Sequence, residues 1–250
     1  MNTNLHRAVP FYMKRGPVGC LLIHGYTDSP FTVQSLGNRL AEAGYTVRAD
    51  VLPGHGGDPA ELNRLGWRAW WDAVLASYDA LARECAQVYV AGLSFGGTLG
   101  LHLAQHRPVA GLATLSAMLG SIDPRPYHSW WLKWFLPFVP KGAGPDVSRV
   151  LADYVGYDTV PVAGVEQVMR MIAHVRDDLP AIHCPILVIH GQHDHTVPLE
   201  NAREILDSVS SSEKKLVILP NSWHVVTLDV ERDLLEQEVL AFVGKNRASK

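Results

Sequence analysis

Gly92-Leu93-Ser94-Phe95-Gly96 constrains this chain more than any other stretch. It follows Gln87-Val88-Tyr89-Val90-Ala91, a short apolar run of β-branched and aromatic residues that predicts a buried strand. It precedes residues 97–104, where apolar groups recur at helical spacing. A Gly-x-Ser-x-Gly squeezed between strand and helix is the pattern of a sharp turn that holds a serine exposed for nucleophilic attack. The glycines let the backbone turn tightly and stay clear of the serine, which must adopt a strained conformation. The pentapeptide alone is common. Its strand–turn–helix context is what makes Ser94 a candidate nucleophile.

The flanking sequence supplies a frame for such a turn. Residues 18–24 form a continuous apolar run, as expected of a strand buried on both faces. The turn Gly25-Tyr26-Thr27-Asp28 comes next, and Ser29-Pro30 predicts a helix start with Ser29 as N-cap. That helix runs to residue 43 and is stopped by Gly44. Residues 45–51, 111–116, 185–190 and 215–219 predict further strands, and 199–209 and 230–243 further helices. Trp67, Trp70, Trp71, Val74, Leu75 and Tyr78 fall at helical spacing, which reads as a stripe packed on the sheet rather than a ligand site. Alternating strands and helices give an α/β fold with a mostly parallel, doubly wound sheet. Functional sites in such sheets lie at the carboxyl ends of strands. That rule gathers Gly25-Tyr26, Ser94, Asp194 and Ser222-Trp223-His224 onto one rim.

Residues 118–178 interrupt the alternation, so the core is expected from 1–117 and 179–250 with 118–178 inserted as a cap. Within the insert, Ser129-Trp130-Trp131-Leu132-Lys133-Trp134-Phe135-Leu136-Pro137-Phe138 is intensely apolar. It is too short to span a bilayer. Trp130, Trp134, Phe135 and Phe138 are candidates for lining an apolar substrate pocket. The alternative is a patch that touches lipid surfaces transiently.

Composition removes several classes of function. With 22 basic and 25 acidic residues among 250 and no basic stripe, nucleic-acid partners are not expected. The beginning of the chain lacks the apolar core of a secretory signal, no run is long enough for a membrane span, and three scattered cysteines read as free thiols. A cytoplasmic location is the expectation. The sequence leaves the oligomeric state open.

A serine hydroxyl needs a base to take its proton, and the base needs an orienting acid. Downstream of Ser94 the acid candidate is Asp194 and the base candidate His224, each directly after a predicted strand. Asp123, beyond the strand at 111–116, is the alternative acid. His224 competes with eleven other histidines, but it alone combines the right order with a position just past a strand. His24 and His190 are expected to hydrogen-bond near the site, and His55 to be structural. His190, His193 and His195 lack the pairing of a zinc site, so no metal is expected. The oxyanion of acyl transfer would meet the backbone N–H groups of Phe95 and Tyr26.

His24-Gly25-Tyr26, Pro53-Gly54-His55-Gly56, Trp70-Trp71, the Ser94 pentapeptide, His193-Asp194 and Ser222-Trp223-His224 together resemble the small bacterial carboxylesterases and monoacylglycerol lipases of the α/β-hydrolase superfamily. The likeness runs over residues 18–243. It implies a serine carboxylesterase for esters of short to medium acyl chain, monoacylglycerols among them, needing no cofactor. It also implies Ser94, Asp194 and His224 as the triad and a small cap. Phe95 departs from the smaller residue found in many relatives, which leaves acyl-pocket size open. Gly25-Tyr26 in place of a triple-glycine loop implies poor action on bulky tertiary-alcohol esters. Thioesterase, acyltransferase and carbon–carbon hydrolase chemistry share the same triad. A non-catalytic receptor on this fold is the remaining alternative.

Overall fold

The computed structural model describes residues 5–141, 146, 150 and 154–245. The first four residues of the beginning read above for an export signal, and parts of the insert, lie outside the described residues. Seven strands form the main sheet: β1 (Phe11–Met13), β2 (Val18–Ile23), β3 (Thr46–Ala49), β4 (Gln87–Leu93), β5 (Gly111–Leu115), β8 (Ile186–Gly191) and β9 (Lys214–Leu219). Their order is β1-β3-β2-β4-β5-β8-β9, and all neighbours are parallel except β1 against β3. From β2 the chain passes outward to β3, then back across to β4. The order therefore reverses between β2 and β4, the switch point where crevices open in such sheets.

Strand side chains alternate between two cores. Leu21, Ile23, Val88 and Val90 point to the face covered by α2 (Trp67–Glu84) and α3 (Phe95–His106). Cys20, Leu22, Tyr89 and Ala91 point to the other, covered by α1 (Gln34–Glu42) and α7 (Arg232–Lys245). Trp70 is fully buried, while Trp67 and Trp71 are half-buried against the same core. The tryptophan stripe is thus packing.

Two local expectations differ from the structure. Pro30–Val33 is a 3-10 turn that leads into α1, and Ser29 does not cap it: its hydroxyl donates to Val155 O at 2.6 Å. A distant carbonyl has outcompeted the local cap. The short antiparallel edge strand β1 was not anticipated, because three half-exposed residues carry no periodic signal.

The insert contributes a 3-10 turn (Arg125–His128), α4 (Ser129–Leu132) and an antiparallel pair of short strands, β6 (Phe138–Pro140) and β7 (Thr159–Pro161). It ends in α5 (Val162–Asp177). Val168, Met171, Ile172 and Val175 of α5 join the core beneath α2 and α3, so the insert stands on a helix rooted in the main body. The remaining helix, α6 (Glu200–Ser208), links β8 to β9. Among the described residues, no helix is long and apolar enough to cross a membrane.

Candidate active site

Ser94 sits at φ 53° and ψ −119°, in the left-handed half of backbone space where a side chain is strained. The turn is fixed from both sides. Ser94 N–H donates to Leu115 O at 2.8 Å, and Ser94 O accepts from Gly97 N–H at 2.9 Å. The glycines are a matter of space. A Cβ on Gly92 would lie 2.2 Å from Gly96 O, and one on Gly96 would lie 2.2 Å from Ile23 O. The pentapeptide can turn this tightly only because neither residue has a side chain.

His224 and Asp194 arrive from the ends of β9 and β8. Ser94 Oγ–H donates to His224 Nε2 at 2.9 Å, and His224 Nδ1–H donates to Asp194 Oδ2 at 2.7 Å. The other oxygen of Asp194 accepts the backbone N–H groups of Thr196 and Val197, each at 2.8 Å. His190 Nε2 stands 3.3 Å from Oδ2. Burial by itself would raise the Asp194 pKa, but the His224 charge and the N–H bonds from His190 and His224 hold it well below the usual carboxylate range. Burial pulls His224 down, and Asp194, with smaller help from Asp146 and Asp28, more than offsets it. His224 therefore titrates above the ordinary imidazole value. The three side chains form one continuous hydrogen-bonded chain, Ser94–His224–Asp194.

The turn after β2 is held by two buried, neutral imidazoles. His24 Nδ1–H donates to Gly25 O at 2.9 Å, and His24 Nε2 accepts Leu52 N–H at 3.1 Å. His55 Nε2 accepts Thr27 N–H at 3.1 Å, and its Nδ1–H reaches Pro53 O at 3.2 Å. Burial pushes their pKa values down to about 4 for His24 and about 3 for His55. Gly25 O is engaged by His24 and by Asp28 N–H at 3.3 Å. In a trans peptide the N–H points opposite the C=O, so this fixes which way Tyr26 N–H points. Phe95 opens α3, where first-turn N–H groups lack intrahelical partners. The Tyr26 ring is anchored by its hydroxyl, which donates to Pro161 O at 2.7 Å.

The other sequence candidates fall elsewhere. Asp123 pairs with Arg125 on the surface. His193 and His195 are exposed, and His195 bonds Asp146 of the insert at 3.2 Å. Among the described residues no three His, Cys, Asp or Glu side chains are placed to hold a metal ion. Trp130, Trp134, Phe135 and Phe138 are 63, 78, 76 and 38 % exposed, an open apolar face on the insert. Sequence reasoning missed Asp28, Lys141 and Tyr154, a polar cluster against the Thr27 turn in which Asp28 and Tyr154 are buried and Lys141 is partly buried. The one available signal was an aspartate set directly before a helix start.

A doubly wound sheet carrying a serine on a strained strand-to-helix turn, with later strands presenting an aspartate and a histidine, defines an α/β-hydrolase. The family model described as serine aminopeptidase, S33 (Hydrolase_4) matches residues 18–231, and the chain belongs to that family. It is 36 % identical to a thermostable monoacylglycerol lipase of Bacillus sp. (strain H-257), over 97 % of this chain and 96 % of the relative. It is 32 % identical to a carboxylesterase of Bacillus subtilis (strain 168), over 94 % and 96 %. A solved structure described under LipS and LipT, two metagenome-derived lipolytic enzymes, superposes with a TM-score of 0.90 at 32 % identity, covering 95 % of this chain and 98 % of that one. The monoacylglycerol lipase of Paleococcus ferrophilus shares the fold at a TM-score of 0.81 and 18 % identity, over 95 % and 98 % of the two chains. The chain is a carboxylic-ester hydrolase.

Proposed function

We propose that the protein hydrolyses uncharged carboxylic esters of short to medium acyl chain, monoacylglycerols among them, through an acyl-enzyme on Ser94. The observation that carries this reading is the hydrogen-bonded chain from Ser94 Oγ through His224 to Asp194. Ser94 Oγ attacks the ester carbon while its proton passes to His224 Nε2. The carbonyl oxygen becomes an oxyanion between the N–H groups of Tyr26 and Phe95. Collapse expels the alcohol, which takes the proton from His224. Water then repeats the sequence with His224 as base, releasing the carboxylic acid and free Ser94. Asp194 keeps His224 in the tautomer whose Nε2 lone pair faces Ser94 and stabilises the imidazolium between steps.

In this reading residues 118–178 act as the cap, and the aromatic face at Trp130, Trp134, Phe135 and Phe138 receives apolar substrate from a lipid surface. The free cysteines Cys20, Cys85 and Cys184 accord with a reducing, cytoplasmic setting. A fluorophosphonate should label the wild type and not Ser94→Ala, and equal labelling would overturn the nucleophile. p-Nitrophenyl esters of graded chain length, run beside monoacylglycerols, thioesters and an amide, test the substrate class. A preference for thioesters over esters would count against it.

A further inference from the structure

The insert reaches the turn after β2 through buried and partly buried polar groups that the reaction above does not use. Lys141, directly after β6, donates to Thr27 Oγ1 at 2.7 Å and to Asp28 Oδ1 at 3.1 Å, and also bonds the Tyr154 hydroxyl. That hydroxyl in turn donates to Asp28. Thr27 Oγ1–H donates to Tyr26 O at 2.6 Å. A short relay therefore runs from the Lys141 ammonium through Thr27 to the main chain of Tyr26. Thr27 itself holds φ 65°, a conformation a threonine keeps only when its surroundings enforce it.

The charges matter as much as the geometry. A Cβ built on Gly25 would lie 2.5 Å from Asp28 Oδ2 and 3.4 Å from Ser94 Cβ, so this carboxylate and the serine flank the same residue. A negative charge there opposes an oxyanion forming on the neighbouring N–H groups, and the opposition is strong where water is excluded. Lys141 is the ion-pair partner of Asp28. We propose that Lys141 is a positioning residue for ester hydrolysis: it fixes the oxyanion-binding turn through Thr27 and neutralises Asp28 beside the reacting serine. The inference rests on the Ser94 acyl-enzyme reading. Burial pushes the Asp28 pKa up, but the Lys141 charge with the Tyr154 hydroxyl more than offsets it and holds the carboxyl below its ordinary range. The carboxylate thus stays charged and in need of its cation.

The test compares Lys141→Met, Lys141→Arg and Lys141→Met/Asp28→Asn with the wild type, using a soluble p-nitrophenyl ester and an aryl trifluoromethyl ketone. The ketone reports on the turn because Ser94 would add to it reversibly and leave an oxyanion. Lys141→Met should lower kcat about 30-fold with KM within about twofold, and weaken ketone binding by a similar factor. Lys141→Arg, which keeps the charge, and the double variant, which removes the orphaned carboxylate, should each recover to within about threefold of wild type. A folded Lys141→Met with unchanged kcat, or a loss that Asp28→Asn does not relieve, overturns the proposal and leaves Lys141 a packing residue of the insert. Should Lys141→Met not fold, Thr27→Val decides: kcat and ketone affinity should each drop about fivefold, and no drop overturns it. Ser94→Ala, run alongside, separates the two readings. Residual turnover there faults the acyl-enzyme itself, whereas a dead Ser94→Ala beside a normal Lys141→Met faults only this inference.

Discussion

His55 Nε2 accepts the backbone N–H of Thr27 at 3.1 Å, and only a neutral imidazole can do so. His24 accepts Leu52 N–H under the same condition. Burial holds His55 at about 3 and His24 at about 4, against 6.5 for an ordinary imidazole. Below pH 6.5 the unfolded chain takes up protons that the folded chain refuses. Their contribution to stability is therefore complete above about pH 6.5 and is lost progressively as pH falls toward 4 and then 3. Each histidine costs up to about 1.4 kcal/mol per pH unit across its window. Urea midpoints measured at pH 7 and pH 5 should fall in the wild type. They should fall less in His55→Gln, which keeps an acceptor that does not titrate. Parallel falls in both proteins would refute the assignment.

Asp194 raises His224 above the ordinary imidazole value. His224 must be neutral to accept the Ser94 proton, so kcat/KM should climb with pH through an apparent pKa above 6.5 and then level off. In Asp194→Asn the attraction that raises His224 is gone, and the amide tolerates the wrong tautomer. The acid limb should move to lower pH while kcat drops by about 10³–10⁴. A pH–rate profile on a soluble ester checks both. A limb that stays in place would mean that another group sets it.

The glycines of the Ser94 turn bear on stability rather than chemistry. In Gly96→Ala the new methyl would lie 2.2 Å from Ile23 O, backbone that cannot yield without shifting β2. The variant should lose about 3 kcal/mol or more, read from urea unfolding. Ala at Gly44 meets nothing within 4 Å and suffers only from its φ of 88°. Its cost should be about 1 kcal/mol, and a reversed ranking would show that the crowding at Gly96 is not what makes the glycine necessary.

These contrasts show what was legible in the residues. Ser94 could be read because its strand, turn and helix are consecutive, and Asp194 and His224 because each follows a buried strand whose end is forced onto the same rim. The roles of His24 and His55 as acceptors could not be read, since an imidazole in a loop does not announce which backbone N–H it meets. Asp28, Lys141 and Tyr154 were invisible for a related reason. Asp28 is separated from Lys141 by 113 positions and from Tyr154 by 126, so only the folded insert brings them together. The aromatic run at residues 130–138 was legible as apolar but not as outward-facing, because an insert outside the sheet has no periodicity to fix its inner face.

That outward face yields the last prediction. Trp134 and Phe135 are among the most exposed large apolar side chains of the described residues, and such apolar surface is unfavourable in water unless something covers it at work. If the face receives substrate from a lipid surface, its worth depends on how the substrate is presented. Burying two such aromatics in an acyl–water boundary is worth about 1.5–3 kcal/mol each, some of it lost to imperfect insertion. Trp134→Ser/Phe135→Ser should therefore raise the apparent KM for a long-chain monoacylglycerol dispersed in vesicles by about tenfold or more. Turnover of dissolved p-nitrophenyl acetate should stay within about twofold, because a small soluble ester needs no such face. Vesicle co-sedimentation should weaken in step with the KM. Equal losses on dissolved and dispersed esters would instead return these aromatics to the lining of the acyl pocket.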